Sequence, residues 1–255
     1  MKMDKTVVKK RFQRSLASYP GQAQVQRKVA EKLVNKTLEL GGSVFENAVE
    51  IGTGTGTLTR CFLEKAIVKH LILNDLVPEV KPLLEVILQN HPQISVQYCW
   101  GDGEKIHIPT ATDLLISGST IQWFESPFAF LKKVHTSLKK GALIAFSTFG
   151  NENFKEIKTL TGSGLTYYEL SSWSHELQEI FEIAYTEEFW ETLYFACPKE
   201  VLKHLQKTGV NGLQRQKWTP GKFQQFQEEY IRQFSQHNGS VKLTYHPQII
   251  ILRKK

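Results

Sequence analysis

Apolar residues in this chain recur with two alternating periods. Val25, Val29 and Leu33 fall on one face of a helix predicted over 22–40, which follows a first helix over 7–18 and the break Tyr19-Pro20-Gly21. Gly41-Gly42 stops it. From there short apolar runs predict strands at 45–51, 70–73, 94–99, 113–117 and 142–149, with helical stretches at 58–65, 82–89 and 127–138 between them. Strand, helix and strand in repetition imply parallel β-α-β units and an open twisted sheet. After Gly150 a polar stretch rich in Gly, Ser, Thr and Tyr suggests a lid, followed by a short capped helix over 174–181. A strand near 183–195, helices near 198–208 and 220–234, and one β-rich run over 241–252 complete the pattern.

The 255 residues suit one large domain, divided as N-terminal helices (1–42), a ligand-binding core (43–150), lid and basic helices (151–240) and a final strand (241–255). No apolar run approaches the ~20 residues of a membrane span, and the basic start lacks the apolar segment of a signal peptide. A soluble, cytoplasmic monomer is expected. Cys61, Cys99 and Cys197 are too few and too scattered for a disulfide framework or zinc knuckle, so no metal is expected. Charge adds something once it is located. Residues 1–196 are nearly neutral, while residues 197–255 carry 11 Lys and Arg against 3 Asp and Glu. That asymmetry points to an acidic partner, or to a basic face kept for solubility.

Three motifs carry chemistry. The run Val49-Glu50-Ile51-Gly52-Thr53-Gly54-Thr55-Gly56 leaves a strand and enters a helix, and glycines there allow a sharp turn and close approach of a ligand. Position 57 is Thr where the dinucleotide fingerprint needs Gly, which disfavours a pyrophosphate loop. Asp75, at the end of the next strand, can accept hydrogen bonds from both hydroxyls of a ribose. In Gly101-Asp102-Gly103-Glu104, after the third strand, Asp102 can accept from an adenine amino group. Together, at the carboxyl ends of successive strands, they describe a pocket for an adenosyl group. Ser117-Gly118-Ser119-Thr120-Ile121-Gln122-Trp123-Phe124 follows the fourth strand, where small residues let the backbone approach a ligand and Gln122 and Trp123 can wall the substrate side. No Asn-Pro-Pro-Tyr or Asp-Pro-Pro-Tyr sequence follows, so exocyclic amino groups of bases are not expected substrates.

The chain resembles the malonyl-acyl-carrier-protein O-methyltransferases of biotin synthesis over nearly its whole length. Phe12, Ala17, Tyr19, Ala23 and Gln26 fit the family's N-terminal pattern, and Ile121-Gln122-Trp123 and the run 145–150 are close to its central signatures. The runs 201–211 and Leu243-Thr244-Tyr245-His246 match its C-terminal segments. Glu50 and Thr53 stand where the family often has Asp and Cys, and the run 160–175 lacks its usual aspartate and His-Val.

The resemblance implies a Rossmann-like class I methyltransferase of α/β class, with a mostly parallel, twisted seven-stranded sheet, helices on both faces and an insert after the fifth strand. It implies methyl transfer from S-adenosylmethionine to the free carboxylate of malonyl-acyl carrier protein. Gln26, Glu50, Gly52, Gly54, Gly56, Asp75, Asp102, Gly103 and Ser117 are expected to hold the cofactor and Tyr19 to orient the carboxylate. Gln122 and Trp123 would sit beside it. Lys199, Lys203 and Lys207, at i, i+4 and i+8, share one helical face that would meet the acidic carrier. Neither nucleic acid nor a membrane is expected as partner. A methyltransferase for another small carboxylic acid or a quinone precursor, an RNA methyltransferase and a noncatalytic adenosyl-binding subunit are the alternatives.

Overall fold

The computed structural model describes residues 5–16, 24–208 and 219–255. Two helices, α1 (Lys5–Ser15) and α2 (Gln24–Gly41), precede the alternating core. That core runs β1 (Val44–Ile51), α3 (Thr57–Leu63), β2 (Ile67–Asp75), α4 (Lys81–Leu88), β3 (Ser95–Trp100), β4 (Thr112–Gly118), α5 (Pro127–His135) and β5 (Leu138–Phe149). The insert adds α6 (Lys155–Thr161), α7 (Leu170–Leu177), β6 (Phe181–Glu188), β7 (Glu191–Phe195), α8 (Pro198–Lys207) and α9 (Pro220–Phe234). Strands β8 (Val241–Tyr245) and β9 (Pro247–Lys254) close the chain.

Seven strands form one sheet in the order β3-β2-β1-β4-β5-β9-β6, with β1 to β5 parallel and β9 antiparallel between β5 and β6. The order reverses between β1 and β4, the switch point where open α/β sheets leave a crevice. Alternation along the strands builds both faces. Leu114, Ile116, Ile249 and Ile251 pack with Leu33, Phe62 and Leu84 of α2, α3 and α4, whereas Leu115, Ile144, Ile250 and Leu252 pack with Leu131 and Trp173 of α5 and α7. The mostly parallel sheet with helices on both faces is thus as expected. A third cluster joins Val25 and Val29 of α2 to Val201, Leu205, Tyr230, Leu243 and Phe149, seating the insert beside the end of β5. Ion pairs Lys28–Glu191 and Lys32–Glu187 fasten α2 to it from outside.

Three expectations change. The run 183–195 is two strands, β6 in the main sheet and β7 outside it. The run 241–252 is likewise two strands, because the chain changes partners at His246: β8 pairs with β7 in a separate two-stranded sheet, and β9 enters the main one. The helix predicted over 174–181 begins at Leu170, and no side chain caps it. Buried Trp173 and Leu177, four residues apart, set its register, and Phe181 already belongs to β6.

Among the buried positions of β1 one residue is polar. Glu50 is fully buried, paired in register with Leu73 and Ile116, and neither carboxylate oxygen has a hydrogen-bond partner. Burial pushes its pKa up to about 8, opposed by nearby Thr59 and assisted by the charge of Asp75. Between the ordinary glutamate value and about 8 the folded chain keeps a proton that the unfolded chain has lost. Stability therefore falls as pH rises through that window. Glu50→Gln removes the titration, so its Tm should exceed that of wild type at about pH 8.5 and come close to it near about pH 5. Melting curves at the two pH values check this; parallel pH profiles for both proteins would contradict it.

Candidate active site

The first three turns at the carboxyl edge of the sheet are tied to one another by hydrogen bonds. After β1, the amides of Gly52 and Thr53 both donate to the Asn74 carbonyl, at 2.8 and 3.0 Å. Asn74 Nδ2 reaches across to the carbonyls of Cys99 and Gly101, and the Gly101 amide returns to the Asp75 carbonyl. Asp75 accepts from Gly54 N on one oxygen at 2.7 Å and from Val77 N on the other at 2.8 Å. Burial raises its pKa above the usual aspartate value, while the amides of Gly54, Val77 and Leu76 and the Thr53 hydroxyl pull the other way.

Gly52, Gly54 and Gly56 all have positive φ, yet only the middle one faces open space. A methyl on Gly52 would fall 2.1 Å from the Thr120 hydroxyl, and one on Gly56 2.4 Å from Ile87, whereas nothing lies within 4 Å of a methyl on Gly54. Gly56 serves packing, while Gly52 abuts Thr120 and lines the cleft as well. Gly54 borders the cleft.

That cleft spans about 1260 Å³, a figure that includes the solvent in its open mouth. Its walls include Gly52, Gly54, Asp75, Asp102 and Gly103 on one side and Gln122 and Trp123 on the other, with Gln26 of α2 above. Both amide atoms of Gln26 and the Oε1 of Gln122 are buried without a partner, which is costly unless a ligand meets them. Gln122 uses its Nε2 to hold the Ser119 carbonyl at 2.7 Å. Ser119 itself has φ +50°, a strained conformation for a residue with a side chain, and is pinned by Ser147 through its amide.

Three of the expected binding residues stand behind the wall. Glu50 lies within the sheet, Gly56 packs on α4, and Ser117 donates its hydroxyl to the Ile51 carbonyl at 2.9 Å, stapling β4 to β1. Neighbouring Gly118, Ser119 and Thr120 line the cleft instead. Asp102 is on the wall, but its carboxylate is held by Lys5 at 2.8 Å through both oxygens. Tyr19 lies outside the described residues. Lys199 and Lys203 are exposed on α8 and Lys207 is partly so, away from the cleft lining.

Sequence reasoning missed the roof. Lys5, Val8, Phe12 and Leu16 line the cleft from above, while no described residue of 151–240, where a lid was expected, does so. Their spacing of i, i+3, i+7 and i+11 was the signal, one face of a helix. Phe12 meets Trp123 edge to face at 5.8 Å.

The methyltransferase domain family matches residues 49–146, from β1 to β5. A malonyl-acyl-carrier-protein O-methyltransferase of Chlorobium luteolum is 37% identical over 254 residues, 99% of this chain and 96% of the relative. A relative of the same name from Bacteroides fragilis is 41% identical over 98% of this chain, which spans only 51% of that longer protein. Among solved structures, the N-methyltransferase NodS of Bradyrhizobium japonicum, in complex with S-adenosyl-L-homocysteine, shares the fold at TM-score 0.58 and 12% identity, covering 97% of this chain and 98% of that one. The chain belongs to the malonyl-acyl-carrier-protein O-methyltransferase family, within the class I S-adenosylmethionine-dependent methyltransferases.

Proposed function

We propose that this chain transfers a methyl group from S-adenosylmethionine to the free carboxylate of a malonyl group carried as a thioester by acyl carrier protein. The observation that carries this reading is the cleft itself: Gly54, Asp75 and Asp102 line it together, in a chain that matches a malonyl-acyl-carrier-protein O-methyltransferase along 96% of that relative's length. Asp75 takes the ribose hydroxyls on the lone pairs left free by Gly54 and Val77. Asp102 takes the adenine amino group, and the open face above Gly54 admits the nucleoside. Gln26, with both amide atoms unpartnered, holds the charged amino-acid end.

When bound, the cofactor supplies a methyl group activated on a sulfonium. The protein's part is mainly placement, because a carboxyl group with pKa near ~4 is already ionised at neutral pH and needs no general base. Gln122 and Trp123 wall the substrate side, with Tyr19 assigned to orient the carboxylate. Orientation of this kind contributes up to ~7–11 kcal/mol in ideal cases. Val8, Phe12, Trp123, Phe124 and Phe149 give the cleft an apolar lining that keeps water away while two opposite charges disappear. In this reading the whole chain works as one domain and as a cytoplasmic monomer. Among the described residues no helix is long and apolar enough to cross a membrane.

The direct test incubates the protein with labelled cofactor and malonyl-carrier protein, malonyl-coenzyme A or free malonate, and looks for the methyl ester. Preference for free malonate would shift the reading to a small-acid methyltransferase.

Two predictions follow from the geometry. Asp75→Asn should weaken cofactor binding at least about tenfold, since hydrogen bonds to a charged acceptor are worth about 1.5–3 kcal/mol each. Because only ionised Asp75 accepts from both hydroxyls and its pKa is raised, wild-type affinity should fall on acidification from above the usual aspartate range. The variant should lack that dependence; calorimetry across pH measures both, and an unchanged affinity in a folded variant would remove the assignment.

The second concerns the carrier. Val201, His204 and Leu205 bury the inner face of α8, leaving Lys199, Lys203 and Lys207 together on its outer side. Such a stripe would steer an acidic carrier toward the end of β5, since α8 and the cleft residue Phe149 share one apolar cluster. Changing all three lysines to Glu should lower kcat/KM on malonyl-carrier protein, most at low ionic strength, with cofactor affinity unchanged. Equal carrier kinetics for wild type and variant at low salt would refute the docking face.

A further inference from the structure

The roof of the cleft is an intrinsically weak helix. Eleven-residue α1 holds five cations and no acid, with like charges four apart at Lys5 and Lys9 and at Lys10 and Arg14. Its stability must come from what it touches. Along the face that lines the cleft, Val8, Phe12 and Leu16 are apolar and Lys5 is the one charge.

That charge is met closely. The Lys5 ammonium contacts both oxygens of Asp102 at 2.8 Å and Glu104 at 2.5 Å, 5.5 Å above the ring of Phe124. The three charged side chains are only 14–18% exposed, so salt and water weaken the contacts less than on an open surface. The ammonium is raised above the ordinary lysine value: burial lowers it, but the hydrogen bonds and charges of Asp102 and Glu104 outweigh that. Glu104 in turn accepts from the amides of Glu125 and Ser126, which anchors it to the turn before α5. One end of the clamp is therefore fixed to the core, and the other rides on α1. Asp102 is the carboxylate that, on the proposed reading, faces adenine.

We propose that Lys5 is a positioning residue that clamps α1 over the adenosyl end of the cleft. By gripping Asp102 and Glu104 it fixes the carboxylate that meets the adenine amino group, and it sets how fast the nucleoside exchanges with solvent. Asp102 Oδ1 accepts from both Lys5 and the Glu104 amide, and Oδ2 keeps one lone pair beyond its bond to Lys5, so clamp and nucleoside can be held together. Release requires the clamp to open. The inference rests on the cleft being the cofactor site, and it assigns Lys5 no contact with the reacting atoms.

The experiment uses the full chain with S-adenosylhomocysteine as probe. Lys5→Met should speed its dissociation in stopped flow roughly tenfold, the scale of one partly shielded charge-assisted contact. KM for S-adenosylmethionine should rise with kcat little changed, and Lys5→Arg should restore most of the effect. Raised salt should accelerate release from wild type and leave Lys5→Met unaffected. With the probe bound, trypsin should cut within α1 more slowly in wild type than in Lys5→Met, at matched Tm. Equal dissociation rates in two proteins that both bind the probe by calorimetry would overturn the clamp and leave the site standing. Absence of binding to wild type would overturn the site, and the clamp with it.

Discussion

The carboxylate of Asp75 is the point on which the ligand edge of this fold depends. One oxygen fixes the amide of Gly54 in the turn after β1, the other fixes Val77 in the turn after β2, and the Asp75 carbonyl receives the amide of Gly101 after β3. Three strand ends are thereby registered against a single residue. The cost is a partly desolvated charge, visible in its raised pKa. Evenly spread burial would not place a carboxylate there; a shared anchor for several backbone amides does, and Asp75 also lines the cleft.

Around that anchor the molecule separates two kinds of surface. The cleft is shaped by the turns of the parallel core, among them Gly52 and Gly54, and by α1 and Gln26 of α2. The insert packs beside β5 through its own apolar cluster and carries the exposed lysines of α8. Phe149 belongs to both, lining the cleft and packing in the insert's cluster. On the proposed reading, binding of a small cofactor and recognition of a large acidic partner would be tuned by different residues of one chain.

Much of this was legible in the sequence. The alternation of Leu114, Leu115 and Ile116 specifies a strand buried on both faces, and the turns carrying Gly54, Asp75 and Asp102 are where their spacing put them. Three glycines in a row of alternate positions could not be told apart, because what distinguishes Gly54 from Gly56 is Ile87, a residue brought near by packing. Ser117 and Glu50 lie off the cleft lining for the same reason: their place at a strand's carboxyl end is a sequence property, but the direction in which their side chains point depends on the neighbouring strands. The lid was sought in a polar stretch after Gly150, while the roof is the basic α1, whose apolar face is short and whose one cleft charge finds its partners 97 and 99 residues away. The split at His246 was hidden because a change of strand partner leaves no mark in hydropathy.

The most direct test of this account is a crystal structure of the protein with S-adenosylhomocysteine. It should show the ribose hydroxyls within hydrogen-bonding distance of Asp75, the adenine amino group at Asp102 and the amino-acid end near Gln26, beneath α1. A nucleoside bound elsewhere, or bound in the cleft with Asp75 turned away from the ribose, would contradict it.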